Sequence, residues 1–302
     1  MEPTMMKRVC FAIMFALCTG VGSAQAQDQQ LRDQQAQVQD GIVVKPLSKW
    51  RYLEPQEAVE QQASQQYAAL MAQAQEKGAL VPENHPQLIR LRAIAKRIIP
   101  YATRWNPEAQ SWKWQVNLLN SKQVNAFCMP GGRIAFFTGI LTALKLTDDE
   151  VAAVMGHEIA HALREHGRER AAKSNVTGVA SRLLGAGVAA WLGVDPRLTD
   201  SVASTAGKLV VLKFSRDEER EADLIGLDLA ARAGFDPRAG VALWRKMGAL
   251  NARAPLAMLS THPGGEERIV EIERHMNVLL PLYATRQGVS AARLPAYRSG
   301  QN

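Results

Sequence analysis

The chain has 302 residues, of which 47% are hydrophobic and 22% are charged, and its formal net charge is +7. These proportions are typical of a soluble globular protein and exclude a collagen-like, wholly disordered or disulfide-rich chain. The basic residues are scattered, without a lysine run or a basic helix interleaved with aromatic residues, so no nucleic-acid partner is predicted. Contact with an anionic membrane surface is compatible with the positive charge.

The N-terminus has the order of a secretory signal peptide. Lys7 and Arg8 precede a short apolar run, and an A-x-A cleavage site follows at 24–26. The apolar run is too short to span a bilayer. We therefore expect residues 1–26 to be removed on export, which predicts a periplasmic location. Cys18 leaves a lipoprotein alternative, in which a lipid-bearing cysteine becomes the first residue.

After such cleavage, Cys128 is the only cysteine of the mature chain, so no intramolecular disulfide is expected. A single thiol between Phe127 and Met129 is typical of a packed core residue rather than of a nucleophile.

Composition divides the rest of the chain into three parts. Residues 27–44 are rich in Gln and Asp and are predicted to be a flexible leader. The folded domain is expected over residues 45–282, and residues 283–302 are predicted to be a loose tail because they are small, polar and basic.

The domain is predicted to begin with two helices. The first covers residues 55–77, with a proline at its start and Gly78 at its end. The second runs from Pro86 to about Tyr101 and has apolar residues on one face.

A small sheet is predicted next, immediately before a third helix. Residues 114–118 alternate in polarity, and residues 133–138 form a β-branched and aromatic run after a Pro-Gly-Gly turn. The helix starts with a capping box between Thr147 and Glu150, and its pattern continues to His166, where Gly167 is a candidate stop.

The remaining elements are mainly helical. Residues 176–194 are apolar, but an arginine and four glycines interrupt them, which favours a buried or amphipathic segment over a membrane-touching loop. A second capping box at Ser215 predicts a helix that ends at Gly234. Further helices are predicted from Asp236 and over residues 266–280, separated by a turn at Thr261-His262-Pro263.

The third helix carries the sequence His157-Glu158-Ile159-Ala160-His161, an H-E-x-x-H motif. Helical geometry places the two histidines one turn apart on one face, where both imidazoles can reach one tetrahedral zinc ion. Glu158 points about 100° away from His157, so it is placed to touch a metal-bound water as a general base rather than to bind the metal equally. The motif predicts one zinc ion per chain.

Zinc needs a third protein ligand, and the pattern of residues leaves more than one candidate. His166 lies five residues beyond His161 and is expected on another side of the helix, and no third histidine follows at the spacing of a three-histidine site. A glutamate from another helix is the usual alternative. The acidic segment 217–223 on the later capped helix offers Glu218, Glu219 and Glu221, which spacing alone does not separate.

Four segments in this order resemble one known family. Along the chain they are the segment Asn125–Gly132, the H-E-x-x-H motif, the segment Ser215–Asp223 and the pair His262-Pro263. Together they are similar to the HtpX and CAAX prenyl protease 1 type of zinc metallopeptidase. Because the membrane-spanning helices of HtpX are missing, the resemblance is to the soluble periplasmic branch that includes the β-barrel assembly-enhancing protease. Unlike that protease, this sequence shows no helical-repeat domain before Asn302, so no repeat domain for docking partners is expected.

The resemblance implies roles for individual residues. Glu219 would be the third zinc ligand, and Asp223 would orient His157 or His161. His262 would lie over the metal, either as a removable fourth ligand or as a hydrogen-bond donor in the transition state.

The resemblance also implies a fold and a surface for substrate. The fold is expected to be α+β, mainly helical, of the zincin (gluzincin) type, with a small sheet beside the active-site helix. The strand with Arg133, Ile134, Ala135 and Phe136 would present an open edge to an extended substrate, and Arg268 would hold the His262 loop or the oxyanion.

The function expected from these features is a zinc endopeptidase that cuts misfolded or misassembled envelope proteins. An alternative is a chaperone-like binding module with a latent site. The intact Glu158 favours the enzyme, because a binding module needs no general base.

Overall fold

The computed structural model describes residues 41–176, 214–253 and 255–300. The described residues from Ile42 onward belong to one compact unit. The predicted signal peptide, most of the predicted leader, and the apolar segment beyond residue 176 lie outside the described residues. None of the helices in the described ranges combines the length and the apolarity needed to cross a bilayer.

The described part of the chain is mainly helical, with one three-stranded sheet. The elements are α1 (Gln56–Glu76), α2 (Pro86–Ile98), β1 (Gln115–Leu119), β2 (Ala126–Met129), β3 (Arg133–Phe137), α3 (Thr138–Ala143), α4 (Asp148–Leu163), α5 (His166–Val176), α6 (Arg216–Arg232), α7 (Ala239–Asn251), α8 (Ala257–Thr261), α9 (Glu266–Arg274) and α10 (Met276–Gln287). Short 3₁₀ helices occupy Lys49–Leu53, Ile99–Arg104, Pro107–Gln110 and Ala291–Arg293.

The sheet has the order β1-β3-β2, with β1 parallel and β2 antiparallel to β3. Side chains of β3 alternate between two cores, because successive residues of a strand point to opposite faces. Ile134 and Phe136 join the large core that includes α4, and Ala135 and Phe137 join a smaller core under α1. The sheet is therefore covered on both faces, and α4 lies against β2.

Both capping boxes are confirmed, at Thr147 with Glu150 and at Ser215 with Glu218. The predicted end of the metal-site helix at His166 is wrong. The helix ends at Leu163, and Glu165 takes a left-handed backbone conformation, with φ of 54°. A new helix, α5, starts at His166 and contains Gly167 in its first turn. A left-handed residue breaks a helix whatever side chain it carries, so this break has no simple sequence signal.

The end of the predicted leader and the predicted tail are both packed. Ile42 is buried, and its backbone N–H donates to the Asp228 carboxylate at 3.0 Å. At the other end, α10 continues to Gln287. Beyond it, the Tyr297 hydroxyl lies 3.2 Å from Thr147 Oγ1, and Ser299 donates to Glu150 Oε1 at 2.6 Å. The loose-tail prediction is wrong, because polar side chains of this segment bind the start of α4.

We expect Ser299→Ala to destabilise the protein by about 1–2 kcal/mol, because a hydrogen bond to a buried carboxylate is lost. The Glu150 side chain is fully buried, so solvent does not replace the missing donor. Urea unfolding measures the change. Ser290→Ala is the matched control, because Ser290 is exposed in the same tail and makes no capping hydrogen bond. Equal stability of the two variants would contradict a structural role for the tail.

Candidate active site

Two helices carry the groups that the sequence predicts to bind metal. The C-terminal half of α4 supplies His157, Glu158 and His161, and the first turn of α6 supplies Glu219. All four side chains are buried. These four buried polar side chains need specific partners, because burial of an unpaired polar or charged group is costly in free energy.

A pair of glycines sets the distance between these helices. A Cβ atom at Gly156 would lie 2.4 Å from the carbonyl oxygen of Gly226, and one at Gly226 would lie 2.5 Å from the backbone nitrogen of His157. No larger residue fits at either position without a shift of backbone. The two helices are in van der Waals contact through their main chains. Glu219 lies two turns before Gly226 on α6, so this contact brings its side chain close to the histidines of α4.

The ligand atoms of His157, His161, Glu219 and His262 all lie within 4.8 Å of one another. His157 Nε2 is 3.1 Å from His161 Nε2 and 3.6 Å from Glu219 Oε2, and His161 Nε2 is 3.5 Å from Glu219 Oε1. Tetrahedral zinc with ligands at about 2.0–2.1 Å requires ligand atoms about 3.3 Å apart. The observed separations match that requirement.

The protonation of the cluster also fits a cation. Burial lowers the pKa of His161 well below its usual value, so its imidazole is neutral and keeps a lone pair. Burial alone would raise the pKa of Glu219, but the charges of His262 and Arg268 and its hydrogen bonds outweigh burial and hold that pKa well below the usual value. The donor set is therefore two nitrogens and a carboxylate, which is one of the sets that hold zinc in catalytic sites.

Asp223 orients His157, one of the two alternatives left by the sequence. Its Oδ1 atom is 3.0 Å from His157 Nδ1, which leaves Nε2 of that ring facing the cluster. Trp244 Nε1 donates to the same carboxylate at 3.3 Å, and Arg268 donates to it through Nε at 2.6 Å. A hydrogen bond of this kind determines the tautomer and direction of a metal-binding imidazole.

Arg268 is a positioning residue rather than a substrate contact, so its predicted role at the oxyanion is wrong. The side chain is buried, and its Nη1 donates to Glu219 Oε2 at 2.5 Å and to the carbonyl of Pro263 at 3.2 Å. Its guanidinium lies over the Trp244 ring, 3.5 Å from the centroid. With its donors directed at protein groups, it holds the His262-Pro263 loop, as the other half of the prediction states.

Glu158 lies beside the cluster without joining it. Its Oε1 atom is buried, has no hydrogen-bond partner among the described residues and is 3.9 Å from His262 Nε2. Burial raises the pKa of this carboxyl group, and the charges of His262 and His157 oppose the shift only in part. A raised pKa suits a group that takes a proton and returns it near neutral pH.

His262 faces the cluster from the end of α8. Its Nδ1 atom is 2.9 Å from Glu219 Oε1 and 3.3 Å from His157 Nε2. Phe214 packs against both His161 and His262, with ring centroids 3.8 and 4.9 Å away. The Phe214 N–H donates to the Thr261 carbonyl at 2.9 Å, which ties the start of α6 to the His262 loop.

The other candidate ligands have separate roles. Glu218 closes the capping box with the backbone N–H of Ser215. Glu221 accepts from His166 at 2.8 Å. His85 caps α2, and burial raises the pKa of the Cys128 thiol well above its usual value, which agrees with a core residue.

The predicted open edge at Arg133–Phe136 is wrong. These residues form the central strand β3, which pairs with β1 on one side and β2 on the other. Their side chains are all buried. Residue pattern cannot distinguish a central strand from an edge strand when both faces of the sheet are covered.

Comparison with known proteins shows the family to which the chain belongs. The model of Peptidase family M48 matches residues 87–276, a range that contains every residue of the cluster. The chain belongs to peptidase family M48. Its zincin-type fold, with a small sheet beside the helix of the H-E-x-x-H motif, is that of a zinc-dependent metallopeptidase family.

Members of the M48 family from several organisms are similar to this chain. The mitochondrial metalloendopeptidase OMA1 of Schizosaccharomyces pombe is 34% identical over 64% of this chain and 54% of its own length. The metalloprotease LoiP of Escherichia coli is 31% identical over 67% of this chain and 75% of its own length. The β-barrel assembly-enhancing protease of Escherichia coli is 29% identical over 61% of this chain and 40% of its own length. The chain thus spans about half of the OMA1 relative.

Several residues that shape this M48 site were missed at the level of sequence. Gly156 and Gly226 lie inside helices, where glycine is unfavourable, and an interior helical glycine is a usable signal of close packing. Trp244 and Phe214 had no such signal, because an aromatic residue at helical spacing is typical of any core. His166 was considered only as a zinc ligand.

We expect Gly226→Ala to lower both stability and zinc content. The added methyl group collides with the backbone of α4, and overpacking of this kind costs about 1–3 kcal/mol. The separation of α6 from α4 also moves Glu219 away from the histidines. Thermal unfolding and elemental analysis of the purified chain measure both effects.

Gly248→Ala is the matched control for that substitution. Gly248 is also helical, but no atom lies within 4 Å of a Cβ placed there. Alanine at an exposed helical site is preferred to glycine by about 0.5–1 kcal/mol, so this control should be neutral or slightly stabilised. A Gly226→Ala protein with full zinc content would contradict the proposed contact between the helices.

Proposed function

We propose that the protein is a zinc-dependent endopeptidase that hydrolyses peptide bonds of envelope proteins that are misfolded or misassembled. The observation that carries the proposal is the convergence of His157, His161 and Glu219 at tetrahedral spacing. Beside them lies Glu158, whose Oε1 atom has no hydrogen bond among the described residues. A metal site used only for structure has no need of that carboxylate.

His157, His161 and Glu219 would hold the zinc ion. When bound, zinc lowers the pKa of a coordinated water towards about 7 and polarises the carbonyl of the scissile bond. Glu158 takes the proton from the attacking water and delivers it to the leaving amide nitrogen. The Oε1 atom of Glu158 is buried and accepts no hydrogen bond within the described part of the chain, so it is available to accept this proton.

The site also has an excess of negative charge. Glu158, Glu219 and Asp223 are buried within one cluster, and Arg268 is the arginine that contacts two of them. A divalent cation balances the remaining charge, and buried charges persist only when they are balanced.

The substrate class rests on the relatives and on the signal-like N-terminus. One relative is a β-barrel assembly-enhancing protease, and we extend envelope quality control from it to this chain. Extended substrate would pair with β2 rather than β3. Support for this comes from β2 being an end strand of the described sheet and packing on α4.

We expect Glu158→Gln to abolish cleavage of casein while zinc content stays at one ion per chain. The amide keeps the shape of the side chain but cannot accept the proton, and loss of a general base costs about 10²–10⁴ in rate. Gel-based cleavage assays and elemental analysis give the two readings. Glu218→Gln is the matched control, because Glu218 is a half-buried carboxylate of the same acidic segment, and an amide oxygen can also accept its capping hydrogen bond from Ser215.

The alternative function, a chaperone-like module with a latent site, predicts a different result. In that case wild type and Glu158→Gln would suppress aggregation of an unfolded protein equally, and neither would cut it. Absence of zinc from the wild type would exclude both functions.

We expect His262→Ala to raise the rate of casein cleavage severalfold and to weaken zinc binding. The distances of His262 Nδ1 to Glu219 and His157 are those of a fourth ligand, which would occupy the position that water and substrate need. Steady-state kinetics and chelator competition measure the two effects. A tenfold fall in rate with unchanged zinc affinity would instead assign His262 as a donor to the transition state.

A further inference from the structure

His161 has an unusual partner on its outer side. Its Nδ1 atom lies 2.9 Å from Nδ1 of His166, and the two rings meet edge to face with centroids 5.0 Å apart. Both rings are almost completely buried, at 1% and 2% exposure. Water therefore does not supply the missing hydrogen-bond partner to either nitrogen.

The contacts continue outward from His166. Its Nε2 atom lies 2.8 Å from Glu221 Oε2, and the other oxygen of Glu221 pairs with Arg164 at 2.9 Å. Arg164 also donates to the carbonyl of Lys45 at 2.6 Å. Four side chains thus form one continuous line from the metal cluster to the backbone at Lys45.

Only one arrangement of protons satisfies this line when His161 Nε2 binds a metal. The ligand nitrogen has no proton, so the proton of His161 is on Nδ1. His166 Nδ1 must then accept it, which places the proton of His166 on Nε2, where Glu221 accepts it. We propose that His166 and Glu221 orient His161 for zinc, as Asp223 orients His157.

This proposal extends the zinc site of the proposed function to two residues outside it. The break after α4 gives the arrangement a structural reason. In a continuous helix, a residue five positions beyond His161 would lie on another side. The left-handed Glu165 turns the chain so that His166, the first residue of α5, faces His161. Ion pairs of Glu165 with Arg51 and Arg168 hold that turn.

The two zinc-binding histidines therefore have different supports. A carboxylate accepts directly from His157, whereas a neutral imidazole stands between His161 and its carboxylate. Partners of this kind are worth about 10–100-fold in metal affinity. The inserted imidazole carries the hydrogen bond but keeps the negative charge of Glu221 farther from the metal.

The test compares two substitutions of similar size at one position. His166→Leu fills the space without an acceptor, and His166→Asn places an oxygen near the position of Nδ1. We expect the zinc dissociation constant to rise about 10–100-fold in the Leu variant and to stay within about threefold of wild type in the Asn variant. Competition with a chromophoric chelator measures it, and His275→Leu, at the end of α9, is the control for removal of a histidine.

A wild-type affinity in the Leu variant, or an Asn variant as weak as the Leu variant, would overturn the proposal. Thermal unfolding of the metal-free proteins tests for a purely structural role of His166. In that case the Leu variant would be less stable than wild type but would bind zinc with unchanged affinity. Should the Leu variant not fold, imidazole ¹⁵N–¹H correlation spectra of the zinc-loaded wild type decide the matter. They should show His166 protonated on Nε2, and protonation on Nδ1 would overturn the proposal. A chain that binds zinc in this way but cuts no peptide would refute only the proposed function.

Discussion

The contact between α4 and α6 at Gly156 and Gly226 is the constraint on which the metal cluster depends. Each glycine lies where a methyl group would meet the backbone of the other helix. Because the main chains of α4 and α6 are this close, the two helices cannot shift relative to each other. The Glu219 carboxylate on α6 is therefore held at a constant distance from the imidazoles on α4. Rigid helices determine ligand positions better than loops do, and precise placement is what metal binding and catalysis require. The small sheet lies against α4 through β2, and α1 covers the other face of that sheet.

Buried charge is the second constraint, and it follows from the first. Close packing excludes water from Glu158, Glu219 and Asp223, so each must be balanced or must have a raised pKa. Arg268 contacts both Glu219 and Asp223. Together with His262 near Glu219 and His157 near Asp223, it lowers the pKa of both carboxyl groups, although burial by itself would raise those values. Glu158 has no such partner, and its pKa is raised. The same environment therefore lowers the pKa of one metal ligand, Glu219, and of Asp223, which orients another, and leaves Glu158 suited to exchange a proton.

Prediction from sequence succeeded where the decisive interactions are local. Both capping boxes join residues three positions apart, and the H-E-x-x-H spacing depends only on the rise of one helix turn. It failed where the interactions are distant or conformational. β2 has four buried residues and no alternation of polarity that would reveal a strand. The central position of β3 depends on its pairing with β1 and β2, and the sequence pattern does not give the order of strands in the sheet. The turn at Glu165 depends on ion pairs with Arg51, more than a hundred residues earlier.

The sequence by itself determined the chemistry of this protein: two imidazoles one turn apart, a glutamate between them, and an acidic capped helix to complete the site. These follow from residue type and helical period, which are properties of short segments. Residue spacing left three glutamates open, and the family resemblance named Glu219. Only the tertiary structure decided which histidine each supporting residue orients and whether Arg268 faces substrate or protein. Those choices depend on how closely two helices approach and on which polar groups become buried together, and no short segment contains that information.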